Sequence, residues 1–121
     1  MSFNCIMAAF SPENVRRNRQ RNIERKKRKL HNLLEHVLSG LSLPTHKSSQ
    51  HRESHIRQQF RQAQQLYDEL DVYDRMDPYF KQDHKTILHE TYLLMYNEEY
   101  PQCIKAEYAK KLLQELRHVR N

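Results

Sequence analysis

The sequence predicts an all-α chain: a long basic N-terminal helix followed by a small three-helix bundle or dimerisation module. Three observations lead there. Only one glycine, Gly40, occurs in 121 residues, so hairpin turns that need positive φ are starved and β architecture is disfavoured. The four prolines, Pro12, Pro44, Pro78 and Pro101, stand where helices would begin or break. Between them, apolar residues recur at steps of three and four.

Each element has its own justification. Residues 1–11 read as a flexible tail. Ser11, Pro12 and Glu13 supply a cap, a first-turn proline and an acid at the positive helix end, predicting a helix over 12–42. Leu43 and Pro44 end it, and 44–50 is the expected loop. Ile56, Phe60, Ala63, Tyr67 and Leu70 form a heptad-like stripe and predict a second helix over 51–75. Asp77 and Pro78 restart the chain. Phe80, Ile87, Leu88, Thr91, Leu94 and Met95 then mark one face of a helix over 78–97. Pro101 opens the last, over 102–119, with Ile104, Tyr108, Leu112, Leu113, Leu116 and Val119 as its stripe. Residues 51–121 are thus expected to form the bundle, and 12–43 a separate basic helix.

Composition narrows the function. Hydrophobic residues are 37% of the chain and mean hydropathy is −1.03, so the core is small and a second copy or a helical protein partner is expected to extend it. No apolar run approaches the roughly 18 residues of a membrane helix, so no membrane partner is expected. The Cys5–Phe10 stretch is too short for a secretory signal. One glycine cannot build a phosphate loop or a dinucleotide fingerprint. Cys5 and Cys103 are too few for a disulfide framework. His51 and His55 have a zinc-compatible spacing, but nothing nearby completes a site. No metal, cofactor or enzymatic activity is expected.

The charge is concentrated. Residues 16–29 hold nine cations against one acid, a net +8. The remaining twelve cations and fourteen acids leave −2, giving +6 overall. Like charges one turn apart oppose helix formation, and phosphates would relieve that repulsion while releasing counterions. Arg17, Arg21, Arg25 and Arg28 fall on one helical stripe, and Asn14, Asn18 and Asn22 on its neighbour. Arginine and asparagine make bidentate contacts to guanine and adenine edges, while Lys26, Lys27 and Lys29 suit phosphates. The segment lacks aromatic residues for base stacking, which favours duplex or structured nucleic acid. Below about pH 6.5 the eight histidines would add to the positive charge.

The run Glu24-Arg25-Lys26-Lys27-Arg28 resembles the basic region of basic helix-loop-helix proteins, with Leu38 where that family places a helix-one core leucine. The likeness covers about 25 residues and departs at Glu35, where that family has an apolar residue. Arg16-Arg17-Asn18-Arg19 resembles the arginine-rich RNA-binding helices of viral regulatory proteins. Lys26-Lys27-Arg28-Lys29 looks like a nuclear localisation signal, implying an import receptor as partner. Leu34, Leu38, Leu41 and Leu43 have the spacing of a leucine-rich export signal, and equally that of a helix core stripe. Import and export together would describe a shuttling protein. The expected function is a small nuclear nucleic-acid-binding regulator, of transcription, acting on DNA or RNA. The alternative is a helical protein–protein adaptor whose basic segment serves import alone.

Overall fold

The computed structural model describes residues 12–43, 50–71 and 78–119, with four helices and no strand among them. They are α1 (Pro12–Ser42), α2 (Gln50–Asp71), α3 (Pro78–Tyr96) and α4 (Gln102–His118). The caps expected from Ser11 and Asp77, the loop at Pro44, and the tail containing Cys5 lie outside the described residues.

At about 1.5 Å per residue, α1 reaches roughly 46 Å, and its two halves do different work. Nothing from Pro12 to Lys29 is buried, whereas Leu30, Leu34, Val37 and Leu38 are wholly buried. Removing each such side chain from water contributes about 1.5–3 kcal/mol. The C-terminal half of α1 is therefore itself one of the bundle's helices. Among the described helices α1 makes the most extensive contacts, with α2 and α4.

α2 runs antiparallel to α1. Glu69, near its end, pairs with Lys26 at 3.2 Å, while Arg52 Nη2, near its start, donates to the Gly40 carbonyl at 3.1 Å. The expected α2 stripe is inward: Phe60, Ala63, Tyr67 and Leu70 are buried and Ile56 is half-buried. Gly40 faces Ile56 of α2 at close quarters. A Cβ there would stand 2.9 Å from Ile56 Cδ1. Its φ is not positive, so its role is close approach within the helix.

α3 and α4 are joined by a turn at 97–101, where Asn97 Oδ1 accepts from the Glu99 backbone N–H at 3.0 Å. Ile87, Thr91 and Leu94 point inward as expected. The Thr91 hydroxyl is satisfied by donating to the Ile87 carbonyl at 2.6 Å. In α4 the expected stripe fails in its first half. Ile104 and Tyr108 are exposed, and Ala106 and Ala109 take the inward positions ahead of Leu112, Leu113 and Leu116. Steps of four precess by about 40° each around a helix of 3.6 residues per turn. A row from Ile104 through Tyr108 to Leu112 therefore leaves the face that Leu112 holds. The buried face is centred on the 3-4-3 row from Ala106 through Ala109 and Leu113 to Leu116, with Leu112 at its edge, so the row of fours walks off it.

One core cluster links all four helices: Leu30, Leu33, Leu34 and Leu38 meet Ala63, Tyr67 and Leu70, Ile87 and Leu94, and the α4 stripe. Two histidines lie within the bundle. His31 of α1 and His84 of α3 are buried, with ring centroids 5.8 Å apart. Among the described residues no helix is long and apolar enough to cross a membrane.

Candidate nucleic-acid interface

The interface is built on the first half of α1. Arg16, Arg17, Asn18 and Arg19 are four consecutive exposed residues. At about 100° per residue they cover the whole circumference of the helix. Pro12–Asn22 is thus a helical rod with no buried side on it, about 16 Å long. Arg17 is held along the rod by Glu13 at 2.8 Å. Gln20 Nε2 reaches Glu24 at 3.5 Å.

The residues expected to bind nucleic acid divide by exposure. Arg17, Asn18, Arg21, Asn22, Arg25, Arg28 and Lys29 are exposed, and Asn14, Lys26 and Lys27 are half-buried. The arginine stripe lies on the side of α1 roughly opposite the Leu30–Leu34–Val37–Leu38 stripe, since at 100° per residue the two differ in phase by about 150°. Where the stripe reaches Arg25 and Arg28 it borders Leu33, a member of the core. Ile23, half-buried, is the first α1 residue packed against the core.

Around residue 25 the surroundings change. Arg25, Lys26 and Lys29 face Gln62, Gln65, Leu66 and Glu69 of α2 across a groove of about 450 Å³. A second shallow concavity of similar size lies along α1 itself, lined by Arg25, Arg28, Lys29, Asn32, Leu33 and His36. Arg25 and Lys29 border both. Gln62, Gln65, Asn32 and His36 were not among the residues expected from the sequence. The signal for α2 was its run of five glutamines between Gln58 and Gln65, which no charge count registers.

The import cluster Lys26–Lys29 is helical. Arg28 and Lys29 are exposed, while Lys26 shares its charge with Glu69. Of the leucines with export spacing, Leu34 and Leu38 are wholly buried, Leu41 is half-buried and Leu43 is exposed. A receptor groove would reach Leu34 and Leu38 only after α1 left the bundle.

Elsewhere, Tyr92, Leu93, Tyr96, Tyr100, Ile104 and Tyr108 are large apolar or aromatic side chains left exposed on α3, α4 and the turn between them. The Tyr92 and Tyr96 rings pack with centroids 4.9 Å apart and planes tilted by 43°. Burial, then the carboxylates of Glu90 and Glu115, raises the Tyr108 phenol above its ordinary pKa, and Glu90 also hydrogen-bonds it. The Tyr108 phenol therefore stays a protonated hydrogen-bond donor at neutral pH. Among the described residues no group of three or more His, Cys, Asp or Glu is placed to hold a metal ion, and Cys103 is an exposed thiol. No protein-family model matches this chain, and no curated protein or solved structure is detectably similar to it.

Proposed function

We propose that this chain is a small, non-enzymatic, nucleic-acid-binding regulator of transcription. It acts in the nucleus and uses the basic half of α1 on DNA or structured RNA. One observation carries the reading: nine cations in fourteen residues lie on a helical segment with no buried side chain. Ordinary protein surfaces mix their charges. A +8 helix that repels itself is relieved by a polyanion. The Lys26–Lys29 cluster supports nuclear import through a receptor with an acidic groove.

The test is a titration of labelled duplex DNA and hairpin RNA with the full chain, from about 50 to 200 mM salt. Affinity is expected to fall at least roughly tenfold over that range, because several phosphates are neutralised. Absent or salt-independent binding to both would overturn the reading.

A second reading is favoured by the exposed Tyr92–Tyr96 pair and the neighbouring Leu93. Tyrosine-rich surface of this kind suits a protein interface. In that case the chain is a helical adaptor, and the basic segment serves import. Replacing Arg16, Arg17, Arg19 and Arg21 with glutamine discriminates. It abolishes function if nucleic acid is the target, and spares it if α3 and α4 dock a protein.

A further inference from the structure

Resting on the nucleic-acid reading, we infer that the target is duplex DNA, gripped in two parts: Pro12–Asn22 lies in the major groove, and the α1–α2 groove seats the adjoining phosphate backbone. The division follows from what surrounds α1 at each point.

Pro12–Asn22 has no buried side chain, and every residue on it except the half-buried Asn14 is exposed. With side chains a helix is about 10–12 Å across, and the B-form major groove is about 12 Å wide and 8.5 Å deep. The rod therefore fits that groove. The A-form major groove of duplex RNA is too deep and narrow for it. Asn14, Arg17, Asn18, Arg21 and Asn22 are the side chains on this part that can make bidentate contacts to base edges.

From Lys26 onward α2 lies alongside, with Glu69 paired to Lys26 and the two helices sharing the core beyond it. A helix with a neighbour packed on it is too wide to continue into the groove, so the phosphate wall must pass outside it. The concavity that meets the wall carries Arg25, Lys26 and Lys29 on one side and Gln62 and Gln65 on the other. Cations supply the charge, and glutamine amides donate hydrogen bonds to phosphate oxygens. Arg25 and Arg28, which share the stripe of Arg17 and Arg21, are thereby phosphate anchors. Asn32 and His36 extend the same track along the second concavity. Among the described residues the exposed aromatic side chains lie on α3, α4 and the turn between them, so none of these stands on this path to stack a single strand.

Anisotropy titrations of the full chain with duplex DNA, duplex RNA and single-stranded DNA of matched length test this. Duplex DNA is expected to bind tightest. Arg25→Ala with Lys29→Ala should make the slope of log K against log salt shallower by about two, since each phosphate contact contributes about one. Gln62→Ala with Gln65→Ala should weaken binding several-fold with the slope unchanged, because the amides carry no charge. All four positions are exposed, and helical circular dichroism confirms that the variants fold. Guanine N7 should be protected from methylation by the wild type and lose that protection in Arg17→Ala with Arg21→Ala. Wild-type binding that is salt-steep but unaffected by both groove variants overturns the two-part grip alone, as does equal or tighter binding of duplex RNA. A wild type that binds no nucleic acid overturns the underlying function.

Discussion

Glu69 is the residue on which the binding face turns. Its carboxylate lies 3.2 Å from Lys26 Nζ, inside the groove assigned to phosphate, and both side chains are partly solvated at 41% and 33% exposure. Such a pair contributes about 0–1 kcal/mol to stability. Its electrostatic effect on an incoming anion is larger, because a fixed negative charge stands where a phosphate must sit. Glu69→Gln keeps the shape and the hydrogen-bonding capacity and removes the charge. The variant should bind duplex nucleic acid several-fold more tightly, with a salt slope steeper by up to about one. Its thermal midpoint should move little. Unchanged affinity in an anisotropy titration would show that the groove is off the path of the phosphates. The ion pair Arg117–Glu35, at 3.7 Å, joins α4 to α1 outside that groove and should have no such effect.

At the scale of the helix, Gly40 sets how closely α1 and α2 pack. A Cβ at this point falls 2.9 Å from Ile56 Cδ1 and 3.3 Å from Cγ1. Ile56 is half-buried, and Cδ1 is the end of a flexible side chain, so one methyl group can be accommodated by rotation. Alanine also gains about 0.8–1 kcal/mol of helix propensity over glycine. The two effects nearly offset, and Gly40→Ala should stay within about 1 kcal/mol of wild type in denaturant unfolding. Gly40→Ile cannot be absorbed by one rotamer change and should cost about 1–3 kcal/mol by overpacking. Similar stabilities for the two variants would mean that the helices do not meet there. The sequence showed that Gly40 lies in α1 but not that it faces α2, because a missing side chain leaves no periodicity to read. The same limit explains α4. Large apolar residues drew the stripe toward Ile104 and Tyr108, while the alanines that pack inward were too small to weigh. By contrast α2 was legible from Ile56 to Leu70, since its inward residues are mostly large and evenly spaced. The arginine stripe of the candidate site was legible too, because charge density needs no partner to be counted. The glutamine side of the groove was not, because it depends on which face of α2 lies beside α1.

Across the whole molecule, acid acts in two opposite directions. The chain is already +6 with eight histidines, and added protons favour polyanion binding. Inside the bundle the balance reverses. His31 is 9% exposed and packs against His84, which is wholly buried, and its Nδ1 has no hydrogen-bond partner. Burial lowers the His31 pKa below 6.5, and the attraction of Glu35, one turn along α1, only partly opposes this. Arg117, paired with Glu35, tempers that attraction further. Because the folded value is the lower one, the unfolded chain takes up its proton first as pH falls. The His31 contribution to stability is therefore intact above about pH 7.5, declines as pH passes through 6.5, and levels off below the folded pKa. One proton limits the slope to about 1.4 kcal/mol per pH unit. His31→Gln should flatten the dependence of unfolding free energy on pH by up to that amount between about pH 7 and 5.5. Over the same interval, wild-type affinity for duplex DNA should rise while the thermal midpoint falls. An affinity that declines in step with stability would show that the binding surface needs the intact bundle more than it needs charge. A midpoint independent of pH would show that His31 takes up its proton as readily in the folded chain as in the unfolded one.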